Sequence, residues 1–283
     1  MVEIQNVSYG YLKGQNVIKD FSVKFSEGGI YGLLGKNGTG KSTLLYLIMG
    51  LLHARQGQIL FNGIETKLRK PETLSDMFIV PEEYDLPSIS LMDYVGVIRP
   101  FYPNFSEELL DKCLEVFGMP RDINLGHLSM GQKKKVYMCV ALATNTKLLL
   151  MDEPTNGLDI PSKSQFRKVV ASGMRDDKII IISTHQVRDV ELLLDKVVII
   201  DNNRTLLEAE MSEIGRKLCF KTVERNELPE NRLYEEQTLQ GYNVVVPNMG
   251  EEETPVNLEL LFNAALTAGD KLDQVFTDTK NEK

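Results

Sequence analysis

Hydrophobic residues recur along this chain in short runs that have the length of β-strands. The runs at residues 30–34, 77–80, 148–151 and 179–182 are almost wholly apolar. Such runs are typical of strands that are buried on both faces of a sheet. The stretches between them are long enough to hold helices. This alternation predicts an α/β core built around a buried sheet.

A second pattern, in which apolar and polar residues alternate, is found in the first sixty or so residues. Residues 2–7 are expected to begin an edge strand, and residues 21–25 are expected to form a second strand. Residues 58–61 have the pattern of a further strand, which Asn62 and Gly63 close in a tight turn. We therefore predict an antiparallel edge sheet beside the buried one.

Longer stretches have the composition and the boundaries of helices. Residues 43–49 are apolar and meet no helix breaker before Gly50, as expected of a buried helix. Residues 106–117 begin with a serine and end before Gly118, which are common first and last signals of a helix. Residues 129–144 are predicted to form the helix that returns the chain to the sheet.

The character of the chain changes after residue 82. Four prolines, at positions 87, 100, 103 and 120, punctuate helical stretches without a buried strand. We therefore expect a helical subdomain, about residues 82–140, inserted into the α/β core.

The core is expected to end after Asp201, and the rest of the chain is acidic and weakly patterned. Residues 244–246 suggest a strand and residues 257–266 a helix, while the last dozen residues are expected to be disordered. We therefore predict two units, a main domain over residues 1–215 and a small extension with a disordered end over residues 216–283.

Composition narrows the class of protein. The chain has 283 residues, of which 42% are hydrophobic and 25% are charged, as in an ordinary globular protein. Its net charge of −8 argues against nucleic acid as the main partner. The three cysteines lack metal-type spacing and are expected to be buried thiols. No apolar run approaches the roughly 20 residues that span a bilayer, so we expect a cytoplasmic chain that reaches a membrane only through a partner.

The most informative local motif is the glycine-rich stretch after the strand at residues 30–34. Its glycines allow the backbone to point N–H groups at phosphate oxygens, its lysine faces the β- and γ-phosphates, and its serine hydroxyl can ligate Mg²⁺. The alternative, a chance glycine-rich turn, does not account for the strand before it and the helix after it. We therefore predict a nucleoside triphosphate site formed by Gly35, Lys36, Asn37, Gly38, Thr39, Gly40, Lys41, Ser42 and Thr43.

Acidic residues and a histidine follow two other predicted strands. Asp152 and Glu153 end one strand, and His185 follows another. Ligands of open parallel sheets bind outside the carboxyl ends of the strands. Asp152 there can hold Mg²⁺, Glu153 can polarise the attacking water, and His185 can donate to a γ-phosphate. The alternatives, a solvated acidic turn and a structural histidine, are weaker beside a phosphate-binding loop.

Two tyrosines, Tyr9 and Tyr11, lie in a predicted turn ahead of the glycine-rich loop. Either can offer a flat face on which an adenine ring stacks, or can pack on the rim of the sheet. The residues themselves leave these two alternatives open.

The stretch Leu128-Ser129-Met130-Gly131-Gln132 decides the family. Together with the glycine-rich loop, residues 150–155, Gly157-Leu158-Asp159 and Ser183-Thr184-His185, it resembles the nucleotide-binding subunit of ATP-binding cassette (ABC) transporters. The resemblance covers about residues 1–211, with every motif in family order. It implies a P-loop NTPase core of α/β class: a mostly parallel sheet flanked by helices, with an antiparallel edge sheet, a helical insertion and a small C-terminal extension.

The resemblance also implies roles for individual residues. Two subunits would sandwich two ATP molecules head to tail, and the signature residues Ser129, Met130, Gly131 and Gln132 would bind the ATP of the partner subunit. Glu153 would be the general base and His185 the γ-phosphate sensor, while Asp159 would lie in a loop at the dimer interface. Tyr11, or failing it Tyr9, would stack on adenine. Mg²⁺ would be held by Ser42, Glu82 and Asp152.

The sequence departs from the family pattern at two of these positions. Glu82 stands where an amide is usual, so it can ligate Mg²⁺ but cannot donate a hydrogen bond. We expect Glu82, Asp152 and Glu153 to converge on one ion, so that ATP binding depends steeply on magnesium. Met130 replaces a glycine, which is tolerable if its φ is negative. The extension is similar to that of some export-type cassettes.

The resemblance implies an ATPase subunit that powers a separate integral membrane permease through ATP-driven closure and opening of a dimer. The dimer is a homodimer or a heterodimer with another ATP-binding subunit, located peripherally on the inner face of the cell membrane. The alternative is a non-transport ABC ATPase of DNA maintenance or an assembly scaffold. Coiled coils, zinc hooks and basic patches would favour that alternative, and the sequence contains none of them.

Overall fold

The computed structural model describes residues 1–12, 15–250 and 253–277. The strands of this part of the chain are β1 Val2–Tyr9, β2 Ile18–Phe25, β3 Gly29–Leu34, β4 Gln56–Phe61, β5 Ile64–Glu65, β6 Met77–Val80, β7 Leu148–Asp152, β8 Ile179–Thr184, β9 Lys196–Asp201, β10 Arg204–Glu210, β11 Leu218–Val223, β12 Tyr234–Thr238 and β13 Gly241–Pro247. The α-helices are α1 Lys41–Ile48, α2 Pro71–Leu74, α3 Leu91–Ile98, α4 Glu107–Phe117, α5 Met130–Ala143, α6 Ile160–Ser172, α7 Val187–Val190, α8 Met211–Lys217 and α9 Leu258–Thr277. Short 3₁₀ turns lie at Thr66–Leu68, Arg99–Phe101, Leu125–His127, Glu191–Leu193 and Arg225–Glu227.

The predicted buried strands form one six-stranded sheet of order β10-β9-β3-β8-β7-β6. β9, β3, β8, β7 and β6 are parallel, and β10 is antiparallel to β9. The prediction that the core ends after Asp201 is wrong, because β10 extends the sheet by one strand. Asn202 and Asn203 make this possible, since both adopt the left-handed backbone of a tight hairpin turn.

The predicted antiparallel sheet is present, with the order β2-β1-β4-β5. β1 pairs with β2 on one side and with β4 on the other, so it is an interior strand and not the edge strand that its sequence suggested. Asn62 and Gly63 close the hairpin between β4 and β5 with positive φ at both residues, as predicted.

Alternating side chains of the six-stranded sheet belong to two separate cores. On β3, Ile30 and Leu34 face the core that also contains the helices α3–α6. Tyr31 and Leu33 face a second core, which α1 and the antiparallel sheet complete. α1 is therefore enclosed between two sheets, which explains why its sequence is apolar on nearly every side.

The helical insertion contains α3 and α4, and α5 returns the chain to the sheet. α4 begins at the predicted serine, where the Ser106 hydroxyl accepts a hydrogen bond from the Leu109 N–H, and it ends at Gly118 with a φ of 64°. α5 begins after Ser129 and ends before Thr144, as predicted. The boundaries of the insertion as a subdomain stay a prediction.

The C-terminal extension is a three-stranded antiparallel sheet, of order β11-β13-β12, covered by α9. Val245 and Leu261 of this unit belong to the same hydrophobic core as Ile182 of the main sheet. The division of the chain at residue 215 stays a prediction, but residues from both sides of it share one core.

The expectation of a disordered end is wrong for residues 272–277. α9 continues to Thr277, past an interruption at Ala268, and Leu272 is fully buried. Residues 278–283 lie outside the described part of the chain. Within the described residues, no helix has both the length and the apolar composition needed to cross a membrane.

Lys178, directly before β8, is an unusual member of the core. Its side chain is fully buried, and its Nζ atom has no hydrogen-bond partner among the described residues. Burial, assisted by the charge of Arg175, lowers the pKa of Lys178 from 10.5 to about 8. An amine in such a place destabilises the fold, because its desolvation is not compensated by a hydrogen bond.

We therefore predict that Lys178→Met stabilises the protein by on the order of 1–3 kcal/mol near neutral pH. Between pH 8 and 10.5 the native state has released the proton that the unfolded state still holds, so the wild type gains stability as the pH rises. The advantage of Lys178→Met should thus be largest below pH 8 and shrink towards pH 10.5. Denaturant melts of wild type, Lys178→Met and the exposed control Lys168→Met at several pH values measure this. An advantage that is independent of pH would contradict it.

Candidate nucleotide site

The register of the parallel sheet brings three strand ends to the same edge. Leu34, the last residue of β3, lies beside Thr184 of β8, and Asp152, the last residue of β7, lies beside Ser183. The residues that follow these strands therefore meet at one place.

The glycine-rich loop connects β3 to α1 and curls around its own lysine. Gly38 and Gly40 have φ values of 82° and 93°, a backbone conformation that glycine adopts most readily. Lys41 Nζ donates to the carbonyl oxygens of Gly35 at 2.8 Å and Lys36 at 3.2 Å. The loop thus encloses the lysine ammonium, with the N-terminus of α1 beneath it, an arrangement suited to phosphate.

The Lys41 ammonium is almost completely removed from solvent, with a side chain only 6% exposed, and lies 4.0 Å from Glu153 Oε1. Burial lowers the pKa of Lys41, and the nearby carboxylates of Glu153, Asp152 and Glu82 oppose that shift. The charge of this lysine is therefore balanced by the acidic residues across the edge.

Asp152 is buried and bonded to hydroxyl groups. Ser183 Oγ donates to Asp152 Oδ1, and the Ser42 hydroxyl is close enough to favour the ionised form of this carboxylate. Burial raises the pKa of Asp152, while the two serine hydroxyls act in the opposite direction. A hydroxyl and a carboxylate in contact are oxygen ligands of the kind that Mg²⁺ prefers.

Glu153 is fixed by three hydrogen bonds. Thr184 Oγ1 donates to Oε2 at 2.9 Å, while the His185 N–H lies 3.0 Å and His185 Nδ1 lies 2.7 Å from Oε1. Its φ of 43° is left-handed, although the following residue is Pro154, before which extended backbone is preferred. The three hydrogen bonds thus hold the carboxylate in one orientation, on a backbone that is strained.

Glu82 points towards a different set of partners. Asn156 Nδ2 donates to Glu82 Oε1 at 2.9 Å, and Asn156 Oδ1 accepts from Gln186 Nε2 at 2.8 Å. No three acidic, histidine or cysteine side chains of the described residues are arranged to hold a metal. The convergence of Glu82, Asp152 and Glu153 on one ion stays a prediction, and in this structure the Glu153 carboxylate is turned towards Thr184 and His185. Ser42 and Asp152 still fit a Mg²⁺ that takes its other ligands from phosphates and water.

Tyr11 is the tyrosine that the structure places beside the glycine-rich loop. Its ring is 59% exposed, and its hydroxyl lies 3.1 Å from Thr43 Oγ1 of α1. Tyr9 packs edge-on against it, with ring centroids 5.2 Å apart. Arg55 Nη2 donates to the carbonyl oxygens of Gly10 and Leu12, and so fixes the backbone before and after Tyr11. An exposed ring tethered at this position can stack on a base.

The four signature residues lie at the exposed N-terminus of α5. Ser129 and Gln132 cap the helix reciprocally: each side chain accepts a hydrogen bond from the backbone N–H of the other residue. Met130 is 73% exposed and does not have a positive φ, so this departure from glycine is accommodated without strain. These two hydrogen bonds of Ser129 and Gln132 remain within the start of α5.

Asp159 also lies away from the assembled edge. Its Oδ1 accepts the Ser162 N–H at 2.8 Å and caps α6, and this contact lowers the pKa of Asp159. Ile160, directly after it, is 84% exposed. The loop therefore presents an apolar side chain outwards.

The sequence analysis missed Lys134, Asn156 and Gln186. Lys134 Nζ is buried and donates to the carbonyl oxygens of Glu153 at 3.1 Å and Asn156 at 2.9 Å. One signal was available: helical spacing places Lys134 on the same face of α5 as the buried Met138 and Ala141. A lysine on a buried face requires an internal partner.

Comparisons with known proteins agree with this geometry. The sequence profile of the ABC transporter family matches residues 18–156. A putative ABC transporter ATP-binding protein of Pyrococcus furiosus is 31% identical over 224 residues, which are 75% of this chain and 85% of that protein. This chain belongs to the ABC transporter ATP-binding proteins.

The ABC transporter ATP-binding protein YtrB of Bacillus subtilis is 27% identical over 93% of this chain and 97% of its own length. Among solved structures, the ATP-binding subunit of an ABC transporter superposes with a TM-score of 0.68 and 26% identity over 76% of this chain and 92% of its own. The predicted P-loop NTPase fold and the ATPase class are thereby confirmed. Because the match to YtrB leaves out only 7% of the chain, it includes most of the C-terminal extension of this ABC protein.

The position of Glu82 leads to a prediction about metal-free ATP. Its charge acts on Lys41 and Asp152, so it repels phosphates that are not neutralised by a metal. Glu82→Gln keeps the oxygen that Asn156 binds and removes the charge. We expect it to strengthen ATP binding in EDTA about two- to fivefold while changing MgATP binding less, as a partly screened charge would.

Titration of a fluorescent ATP analogue with and without Mg²⁺ measures both affinities. Glu83→Gln, a neighbouring exposed carboxylate, is the control. An unchanged ratio between the two affinities would show that the Glu82 charge does not reach the phosphates.

Proposed function

We propose that this chain hydrolyses ATP to drive a separate membrane-spanning permease, and that two copies of it share two ATP sites. The observation that carries the proposal is the assembled edge: Glu153 lies within ion-pair reach of Lys41 and within hydrogen-bond reach of His185. Each comes from a different strand end, and such a constellation has no use in a merely structural edge.

Binding is assigned to the glycine-rich loop. Its backbone N–H groups and the Lys41 ammonium would hold the β- and γ-phosphates. Ser42 and Asp152 would hold Mg²⁺, with Glu82 as a further candidate ligand, and the metal would neutralise charge on the phosphates. The exposed ring of Tyr11 would stack on the adenine.

Glu153 is assigned as the general base. Because the phosphates would compete with Glu153 for Lys41, ATP binding frees the carboxylate from its ion pair. Oε2 accepts one bond, from Thr184, and its second lone pair is available for the proton of a water molecule. As that water attacks the γ-phosphorus, its proton passes to Glu153 and the bond from phosphorus to the bridging oxygen breaks. His185, oriented by Glu153 at Nδ1, would place Nε2 at the γ-phosphate.

The remainder of the site would come from a second copy of the chain. At the N-terminus of α5, Ser129 offers a hydroxyl and Gly131 offers a backbone N–H to an anion. We propose that they grip the γ-phosphate bound by the partner, and that Asp159 and Ile160 lie in the interface.

The helical insertion is our candidate for the surface that meets the permease at the membrane. Val97 and Phe101 are 59% and 67% exposed on it. Tyr84, two residues after Glu82, stacks on Tyr137 of α5 with ring centroids 4.3 Å apart. A displacement of the insertion would therefore be transmitted to Glu82 and to the signature helix.

Glu153→Gln tests the proposal. It should retain ATP binding and lose hydrolysis by roughly 10²- to 10⁴-fold, because the amide cannot take a proton. With turnover stalled, a dimer should accumulate in MgATP, which gel filtration with and without nucleotide detects.

Lys41→Ala is the matched control, since it should lose the thermal stabilisation that MgATP gives to the wild type. Hydrolysis by Glu153→Gln at the rate of the wild type would overturn the assignment of the base. Full stabilisation of Lys41→Ala by MgATP would overturn the assignment of the site.

A further inference from the structure

The backbone of Glu153 adopts an unfavourable, left-handed conformation. A left-handed residue before a proline is strained, and it persists only where its surroundings enforce it. The N–H of Glu153 is bonded to the Ser183 carbonyl at 2.9 Å, and its carboxylate is bonded to Thr184 and His185. All of these partners belong to β8 or directly follow it.

The carbonyl oxygen of Glu153 has a partner of another origin. Lys134 Nζ, from the signature helix α5, donates to it at 3.1 Å and to the Asn156 carbonyl at 2.9 Å. Asn156 N–H in turn donates to the Glu153 carbonyl at 3.2 Å. Lys134 thereby closes the turn that follows β7 and fixes both of its ends.

Burying the Lys134 ammonium at this position costs free energy. It is only 8% exposed, and burial lowers the pKa of Lys134, although the charges of Glu82, Glu153 and Asp152 favour its protonated form. Charged donors make stronger hydrogen bonds to carbonyl oxygens than neutral donors do. A buried ammonium on two carbonyls is therefore a strong clamp.

The clamp connects the start of α5 to the turn that follows β7. A cleft of about 260 Å³ lies between the start of α5, at Met130 and Gly131, and the residues Glu82 and Asn156. Lys134 also lines this cleft and reaches across to the turn. It lies one helical turn beyond Gly131, so a small rotation of α5 moves its ammonium relative to the turn.

We propose that Lys134 is a positioning residue for Glu153, and that it couples the signature helix of each chain to that chain's own general base. This inference rests on the proposed function, in which Glu153 takes the proton. Engagement of the signature by the partner's ATP would move α5 and, through Lys134, adjust the orientation of Glu153. Each of the two ATP sites would then report its occupancy to the other.

Lys134→Met removes the ammonium and keeps most of the stem. We expect kcat for ATP hydrolysis to fall about 10- to 100-fold, as for other small displacements of a catalytic group. KM for ATP and the stabilisation by MgATP should stay within about threefold, because the hydrogen bonds of Lys134 go to Glu153 and Asn156 and not to the phosphate-binding loop. Lys135→Met is the matched control: its Nζ lies 5.9 Å from the centre of the Phe117 ring and not at the turn.

A double-mutant cycle separates positioning from a general structural effect. If Lys134 acts through Glu153, then Lys134→Met should cost nothing further in the Glu153→Gln background. Single-turnover hydrolysis of radiolabelled ATP measures the residual rates. Costs that multiply in the double variant would overturn the inference, and so would a Lys134→Met kcat within twofold of the wild type.

Should Lys134→Met fail to fold, Lys134→Gln takes its place in the same cycle. Its amide is one bond shorter and cannot reach both carbonyls, so we expect a smaller loss of kcat that again disappears in the Glu153→Gln background. Different results would overturn the two proposals. Normal hydrolysis by Glu153→Gln would overturn the assignment of Glu153 as the general base. An inactive Glu153→Gln together with a fully active Lys134→Met would overturn only the proposed coupling through Lys134.

Discussion

The site depends on a balance of buried charges at the carboxyl edge of the main sheet. The Lys41 side chain is almost completely buried, and its Nζ atom lies 4.0 Å from Glu153 Oε1. An isolated ammonium there would cost several kcal/mol, so the opposing carboxylates and the carbonyl oxygens of the loop are needed even before a nucleotide binds. These groups belong to different strand ends, which only the parallel register of β3, β8 and β7 brings together. The same balance makes the edge a receptor for phosphates, which replace one set of negative charges with another.

The rest of the fold supports this edge of the sheet. α1 is enclosed between two sheets, so the loop before it is supported from below. The signature residues Ser129 and Gln132 cap each other at the start of α5. Lys134 joins the two regions through the backbone of Glu153, and Asn156 joins both to Glu82. Under the proposed function, the glycine-rich loop and the signature are the two halves of an ATP site, and each site is completed by a second chain.

Local patterns were sufficient for most elements and for the residues of the edge. The strand before Gly35, the helix after Ser42 and the carboxylates after β7 were predicted because each depends on a few neighbouring residues. The interior position of β1, the extra strand β10 and the partners of Glu82 were not, because they depend on which distant segments pair. Lys134 was missed for the same reason: its role is defined by carbonyl oxygens about twenty residues away. Because these partners are backbone atoms, no particular residue type in the sequence identifies them.

The central claim is that each ATP site is completed by a second copy of the chain, and mixing two inactive variants tests it most directly. Lys41→Ala disables the loop of its own chain, and Ser129→Arg blocks the signature. In a 1:1 mixture, half of the randomly formed dimers contain one of each, with one intact site of two, so hydrolysis should recover to about a quarter of the wild-type rate. A mixture as inactive as its two components would contradict the shared site, as would full hydrolysis by Ser129→Arg alone.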